Sequence, residues 1–212
     1  MVRVDLHTHS IASPDGSLSE ANYRALLMSE RLHVIAVTDH NRIDFAQQLQ
    51  AELGDSIIVG EEITALEGEI IGLYLQEAIP AGLSSIETVR RILAQRGIVY
   101  VPHPFETVRK GLPLAVLDEI ADHVDVLETY NGRSIQDRSA RATAWAAKHD
   151  IAGAASSDAH GIRGWGNTYS ILAEAPSRDT LVDLLGHATY STRSTGPIGR
   201  LYPKLNRIRK AA

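Results

Sequence analysis

The sequence predicts an α/β protein whose strands close into a barrel of somewhat fewer than eight strands. Three observations carry this. Short, wholly apolar segments such as Val34-Ile35-Ala36-Val37 and Ile98-Val99-Tyr100-Val101 alternate with segments of helical periodicity, which reads as a parallel sheet buried on both faces. Most of those apolar segments end in His, Asp or Glu, and the C-terminal face of an α/β barrel is where loops build an active site. Only about seven such strand–helix units fit the chain, short of the eight of a full barrel.

Taken in order, Met1-Val2-Arg3-Val4 opens a strand that runs into Asp5-Leu6-His7-Thr8-His9-Ser10. Alternation along a strand would put Asp5, His7 and His9 on one face, with the two imidazoles a chelating pair for zinc, manganese or iron. A loop follows at Ile11–Gly16, then Ser19 is placed to cap a helix over Glu20–Met28. The strand Val34–Val37 ends in Thr38-Asp39-His40-Asn41, and a helix from about Phe45 to Leu53 closes at Gly54. Ile57-Ile58-Val59 runs into Gly60-Glu61-Glu62-Ile63-Thr64, and Glu69–Leu75 forms a further strand. Ser85 opens a helix reaching Gly97, after which Ile98–Val101 ends at Pro102-His103-Pro104. A helix near Leu114–His123 precedes the strand Val124–Glu128, and an alanine-rich helix from about Gln136 to His149 precedes Ile151–Ala155. That last strand delivers Ser156-Ser157-Asp158-Ala159-His160.

With 212 residues, 44% of them hydrophobic, the chain can bury a core without staples, and with 0 cysteines it has neither disulfides nor thiolate metal ligands. Any metal must therefore be held by His, Asp and Glu. No apolar run is long enough to cross a bilayer and no secretion signal is seen, so a cytoplasmic protein without a membrane partner is expected. The net charge is −5, yet residues 191–212 carry six basic side chains (Arg193, Arg200, Lys204, Arg207, Arg209 and Lys210) and no acid, leaving −11 for residues 1–190. The expected division is a barrel domain over 1–190 and a basic extension over 191–212, packed on the barrel or trailing from it. An acidic body suits several cations; a basic tail suits an anionic partner or is simply solvated. Nothing in the sequence fixes the oligomeric state.

Collected, the strand-end residues are His7, His9, Asp15, His40, Glu62, His103, Asp158 and His160. They are too many for one ion of ordinary coordination number and imply two or three ions with a bridging carboxylate. His33, His123, His149 and His187 lie away from the strand tips and read as surface residues.

Asp5-Leu6-His7-Thr8-His9-Ser10, Ser13-Pro14-Asp15-Gly16, Thr38-Asp39-His40-Asn41, Gly60-Glu61-Glu62-Ile63-Thr64, Val101-Pro102-His103-Pro104 and Ser157-Asp158-Ala159-His160 together resemble, in order and over residues 5–160, the motifs of the PHP (polymerase and histidinol phosphatase) superfamily. The region after Gly161 resembles the carboxyl-terminal extension of a short, stand-alone subgroup. The resemblance implies a distorted (β/α)7 barrel and a bi- or trinuclear centre that hydrolyses phosphate esters. It implies that His7, His9, Glu62 and Asp158 hold a first ion, that Glu62 bridges to a second shared with His103, and that Asp15, His40 and His160 hold a third. The family pattern selects Glu62 over Glu61, which periodicity alone does not separate. The chain departs from the pattern at Glu69, where relatives commonly carry a histidine: Glu69 either coordinates the second ion, favouring manganese, magnesium or iron over zinc, or faces solvent.

The chemistry expected is attack on a phosphate ester by water that the ions acidify, with His7, His9, Glu62, His103 and Asp158 as the catalytic set. Asp5 and Asp39 would orient ligand imidazoles, and Arg133 and Arg163, on rim loops, would grip phosphate oxygens. The partner expected is a small phosphorylated metabolite, a nucleotide or a short single-stranded oligonucleotide. Two other readings stay open: amide or lactone hydrolysis of amidohydrolase type, and a non-catalytic metal-binding module.

Overall fold

Side-chain alternation decides how this chain is layered. In the computed structural model, which describes residues 1–134 and 138–211, Ile35 and Val37 join one buried apolar cluster while Val34 and Ala36 join a second. The same split recurs at Val59 against Ile58, Ile70 against Ile71, Val99 against Ile98 and Tyr100, and Leu127 against Val126. One cluster lies between the sheet and the helices; the other fills the inside of a curled sheet. Val4, Leu6, Leu73, Ala154 and Leu172 complete the inner cluster, together with Leu181 and Leu185 of a late helix.

The elements in chain order are β1 (Val2–Asp5), α1 (Glu20–Met28), β2 (Val34–Val37), α2 (Asp44–Leu53), β3 (Ile57–Thr64), β4 (Glu69–Leu73), α3 (Ser85–Ala94), β5 (Ile98–Val101), α4 (Leu114–Ile120), β6 (Val126–Asn131), α5 (Ser139–Lys148), β7 (Ala152–Ser156), β8 (Thr168–Leu172), α6 (Leu181–Gly186), β9 (Thr189–Thr192) and α7 (Gly196–Ala211). Local chemistry sets several boundaries as the sequence suggests. Ser19 caps α1 in a reciprocal capping box with Asn22, and Gly54, at φ 62°, ends α2 in a conformation costly for other residues. The helix expected from about Gln136 begins outside the described residues; α5 starts at Ser139.

Among the described residues the strands form one nearly closed sheet in the order β7-β6-β5-β4-β3-β2-β1-β8-β9, a distorted barrel with seven strands, β1 to β7. The expectation of an all-parallel sheet is corrected: β4 runs antiparallel to both β3 and β5, and β8 and β9 are antiparallel additions beyond β1. The reason is local. Thr64 pairs with Glu69 across a turn closed by Ala65 N–H to the Gly68 carbonyl (2.9 Å), far too short for a helical crossover. The sheet closes at its upper end by a Thr8–Ala159 bridge. Lower down β8 bridges the gap, Ser170 Oγ accepting from Ala155 N–H (3.0 Å).

The expected domain boundary at 190 falls within β9. The basic residues beyond it belong mainly to α7, which lies on the barrel. Asn206 donates to the carbonyls of Asp15 (2.7 Å) and His160 (2.9 Å), and Lys210 donates to those of Ile11 and Ser13. Gly161 makes room for Tyr202, since a Cβ there would lie 2.6 Å from its ring. Among the described residues no helix is long and apolar enough to cross a membrane.

Candidate metal centre

The inward alternation that builds the inner cluster also aims the polar residues above it. Glu62 continues the phase of Ile58 on β3 and Glu69 that of Ile71 on β4. Because β4 is antiparallel, its first residue lies at the same barrel end as the last residues of β3. His40 follows β2, His103 follows β5, and Asp158 and His160 follow β7. Along β1 the phase shifts: Val4 and Leu6 belong to the inner cluster, yet His7 and His9 also turn into the cleft. The common face expected for Asp5, His7 and His9 is therefore not formed by Asp5. His103 (φ 29°) and Asp158 (φ 52°) adopt left-handed backbone, a conformation that costs free energy outside glycine and gathers at functional sites.

The nine anticipated ligands converge: seven line a cleft of about 490 Å³, a size suited to a small molecule, and the fully buried His7 and His9 group with them. Glu62 Oε2 lies 3.5 Å from His7 Nε2, 3.2 Å from His9 Nε2 and 3.3 Å from His40 Nδ1, while its Oε1 lies 3.0 Å from His103 Nε2. Asp158 Oδ1 is 3.6 Å from His7 and 3.5 Å from His9. Asp15 faces His40 (3.6 Å) and His160 (3.5 Å). Glu69 is buried, 3.9 Å from His40 Nδ1 and 3.7 Å from His103 Nε2, so it faces the cleft and not solvent. Donor atoms converge in four groups: His7–His9–Glu62, His7–His103–Asp158, His40–Glu62–Glu69 and His9–Asp15–His40–His160. Glu62 joins two of them. Glu61 points to the other side of β3 and accepts from Ile79 N–H at 2.8 Å.

This donor set fits divalent cations. His7 Nε2 and His9 Nε2 face each other at 3.1 Å, and the buried His9 Nδ1 and His103 Nδ1 have no hydrogen-bond partner among the described residues. Burial lifts the Glu69 carboxyl to about 9, with the Glu62 charge adding to it. Burial opposes the His9 cation, yet Asp158 and Glu62 raise it to about 9; burial, His9 and Arg133 push His160 down to about 3. Burial also opposes the Glu62 and Asp158 carboxylates, but His40 and His7 around the one, and Arg133 and His7 around the other, hold both well below the usual range. Acids and imidazoles forced together in this way gain from ions between them.

The supporting residues differ from expectation. Asp5 accepts from Ser157 N–H (2.9 Å) and Ser157 Oγ (2.5 Å), and Asp39 from Ser10 N–H (2.7 Å) and Ser10 Oγ (2.5 Å). Both carboxylates thus fix ligand-bearing loops and not imidazole rings. The ring-orienting role falls to Glu128, unassigned in the sequence. Its Oε1 lies 3.1 Å from His7 Nδ1 and accepts from Tyr100 OH (3.0 Å), and its Oε2 accepts from His103 N–H (2.6 Å). Such an outer carboxylate fixes which nitrogen faces the metal. Arg133 reaches the cleft, donating to Asp158 at 2.8 Å. Arg163 does not; it is exposed beyond His160 and lines no part of the cleft. Arg109, which the sequence reading missed, donates to Asp158 and Glu106. The signal was present, since it follows the His103 turn as Arg133 follows β6. Of the histidines read as surface residues, His123 and His187 are exposed. His33 is half-buried and accepts from Arg3 N–H (3.0 Å), and His149 stacks on Trp145.

Known proteins resemble this chain in sequence and in fold. A family model described as PHP-associated matches residues 138–189. An uncharacterized protein of Methanocaldococcus jannaschii, MJ0417, is 37% identical over 182 residues, covering 82% of this chain and 71% of that protein. A two-domain protein of Bacteroides vulgatus, described as containing a predicted PHP-like metal-dependent phosphoesterase, superposes with a TM-score of 0.73 at 16% identity. That match covers 91% of this chain, which spans 65% of the length of the larger protein. PsfC of Pseudomonas syringae gives a TM-score of 0.70 at 16% identity, covering 99% of this chain and 100% of the other.

Proposed function

The chain belongs to the PHP superfamily, and on that footing we propose that it is a metal-dependent phosphoesterase acting on a small phosphate ester. The observation that carries this reading is the composition of one cleft: nine His, Asp and Glu donors at its base and Arg109, Lys110 and Arg133 on its wall. A phosphate ester is anionic and repels a nucleophilic oxygen, so its hydrolysis calls for concentrated positive charge.

His7, His9, Glu62 and Asp158 would hold one ion, Glu62, Glu69 and His103 a second, and Asp15, His40 and His160 a third, with manganese, iron or zinc suiting the mixed N/O donors. When bound, such ions supply Lewis-acid charge and lower the pKa of water towards neutrality. The rest is work for the chain. Glu128 holds His7 and the His103 backbone in place, and Asp5 and Asp39 fix the loops carrying Asp158 and His9. Arg133 and Arg109 donate to Asp158 and, once an ion takes that carboxylate, would turn their guanidinium groups to the phosphate oxygens.

The test is a chelator-stripped protein reloaded with manganese, iron or zinc. It is assayed against phosphorylated metabolites, nucleotides, short oligonucleotides, anilides and lactones. Phosphate release that requires the metal is expected. Turnover of an anilide or lactone without any phosphate release would overturn the proposal.

A further inference from the structure

Helix α7 brings a cation to a proposed metal ligand. Arg207 Nη2 donates to Asp15 Oδ2 at 2.6 Å, the same oxygen that faces His40 Nε2 at 3.6 Å. The two ends of that bond are unlike. Asp15 is fixed, its Oδ1 accepting from Ser13 Oγ at 3.0 Å and its backbone carbonyl from Asn206. The Arg207 side chain is 64% exposed and, among the described residues, makes no other polar contact. Helix α7 itself is held by the buried Asn206 and by Lys210. Arg207 can therefore leave Asp15 while its helix stays docked, and its side chain already lines the cleft.

The geometry points to Arg207 as a mobile anion-binding residue of the cleft: it neutralises Asp15 until an ion takes that carboxylate, and then binds the phosphate of the substrate. Two cations cannot share one carboxylate oxygen without repelling each other, so ion entry at Asp15, His40 and His160 frees the guanidinium. A freed guanidinium above a metal cluster is a bidentate donor for phosphate oxygens. This rests on the phosphoesterase reading, which it extends by giving the carboxyl-terminal helix a substrate-positioning role.

Two titrations of the full-length chain test it, comparing wild type with Arg207→Gln and with Arg209→Gln. The latter removes an equal charge from the same helix at a position without polar contacts among the described residues. Manganese titrated into stripped protein should bind up to about fivefold more tightly in Arg207→Gln, the worth of one exposed ion pair. Inorganic phosphate titrated into manganese-loaded protein should bind about tenfold more weakly, the worth of one charge-assisted hydrogen bond. Arg209→Gln should match wild type in both. Weaker manganese binding in Arg207→Gln would make Arg207 a structural prop of Asp15 and overturn the inference, as would unchanged phosphate affinity. Failure of the phosphoesterase reading is a separate result, since no ester would then be turned over whatever the two affinities are.

Discussion

Glu61 and Glu62 are neighbours in the chain with opposite fates, because successive side chains of β3 face opposite sides of the sheet. Glu62 meets four imidazoles, whereas Glu61 is buried among apolar groups with one backbone partner and its carboxyl is pushed up to about 7. The folded protein thus keeps a proton that the unfolded chain releases near 4.5. Between those values the folded state binds more protons, so this group's contribution to stability falls as pH rises and is fully lost above about 7. Glu61→Gln keeps an acceptor for Ile79 and removes the titration. Thermal unfolding should show the variant gaining on wild type from pH 5 to pH 8, and an equal difference at both would refute this. At Glu69 the expected outcome is different: Glu69→Gln should lower both bound metal and turnover, because a neutral amide is a poor ligand. Glu69→His should restore binding with a shift towards zinc. Elemental analysis showing full metal in the glutamine variant would remove Glu69 from the centre.

Among the elements, those with strong local signals were legible in the sequence. The capping serine of α1, the glycine after α2 and the apolar runs of β2 and β5 stand where their chemistry puts them. Strand direction was less legible, since an apolar run buried on both faces reads alike in either orientation. Only the four-residue spacing from Thr64 to Glu69 betrays the β3–β4 hairpin. Glu128 was hidden for a related reason: its phase with Val126 aims it inward, but its partner His7 is 121 positions away. The docking of α7 rests on Asn206, a residue type with no periodic signature. Asn206→Leu leaves the Asp15 carbonyl unpaired, while that of His160 keeps the Ser17 hydroxyl (2.8 Å), and should cost about 1–3 kcal/mol. It should also make α7 more open to protease. Ser19→Ala, which removes a cap outside the cleft lining, should cost about 1 kcal/mol and leave protease cleavage of α7 unchanged. Equal cleavage of α7 in the two variants would contradict this account of its docking.

For the whole molecule, charge distribution and cleft chemistry agree. A body of net charge −11 with a basic carboxyl-terminal segment places many carboxylates around one cleft and returns cations to its rim through α7. Ions bound only by the folded state stabilise it by mass action, about 2.7 kcal/mol at a hundredfold excess over the dissociation constant. Stripping with a chelator should therefore lower the unfolding temperature by several degrees, at roughly 2–4 °C per kcal/mol for a chain of this size. Readdition of manganese should reverse the loss. The most direct test of the metal centre is anomalous diffraction from crystals grown with manganese. At least two peaks are expected inside the cleft, one beside His7, His9 and Asp158 and another sharing Glu62 with it. A cleft without an anomalous peak at saturating manganese would contradict the account.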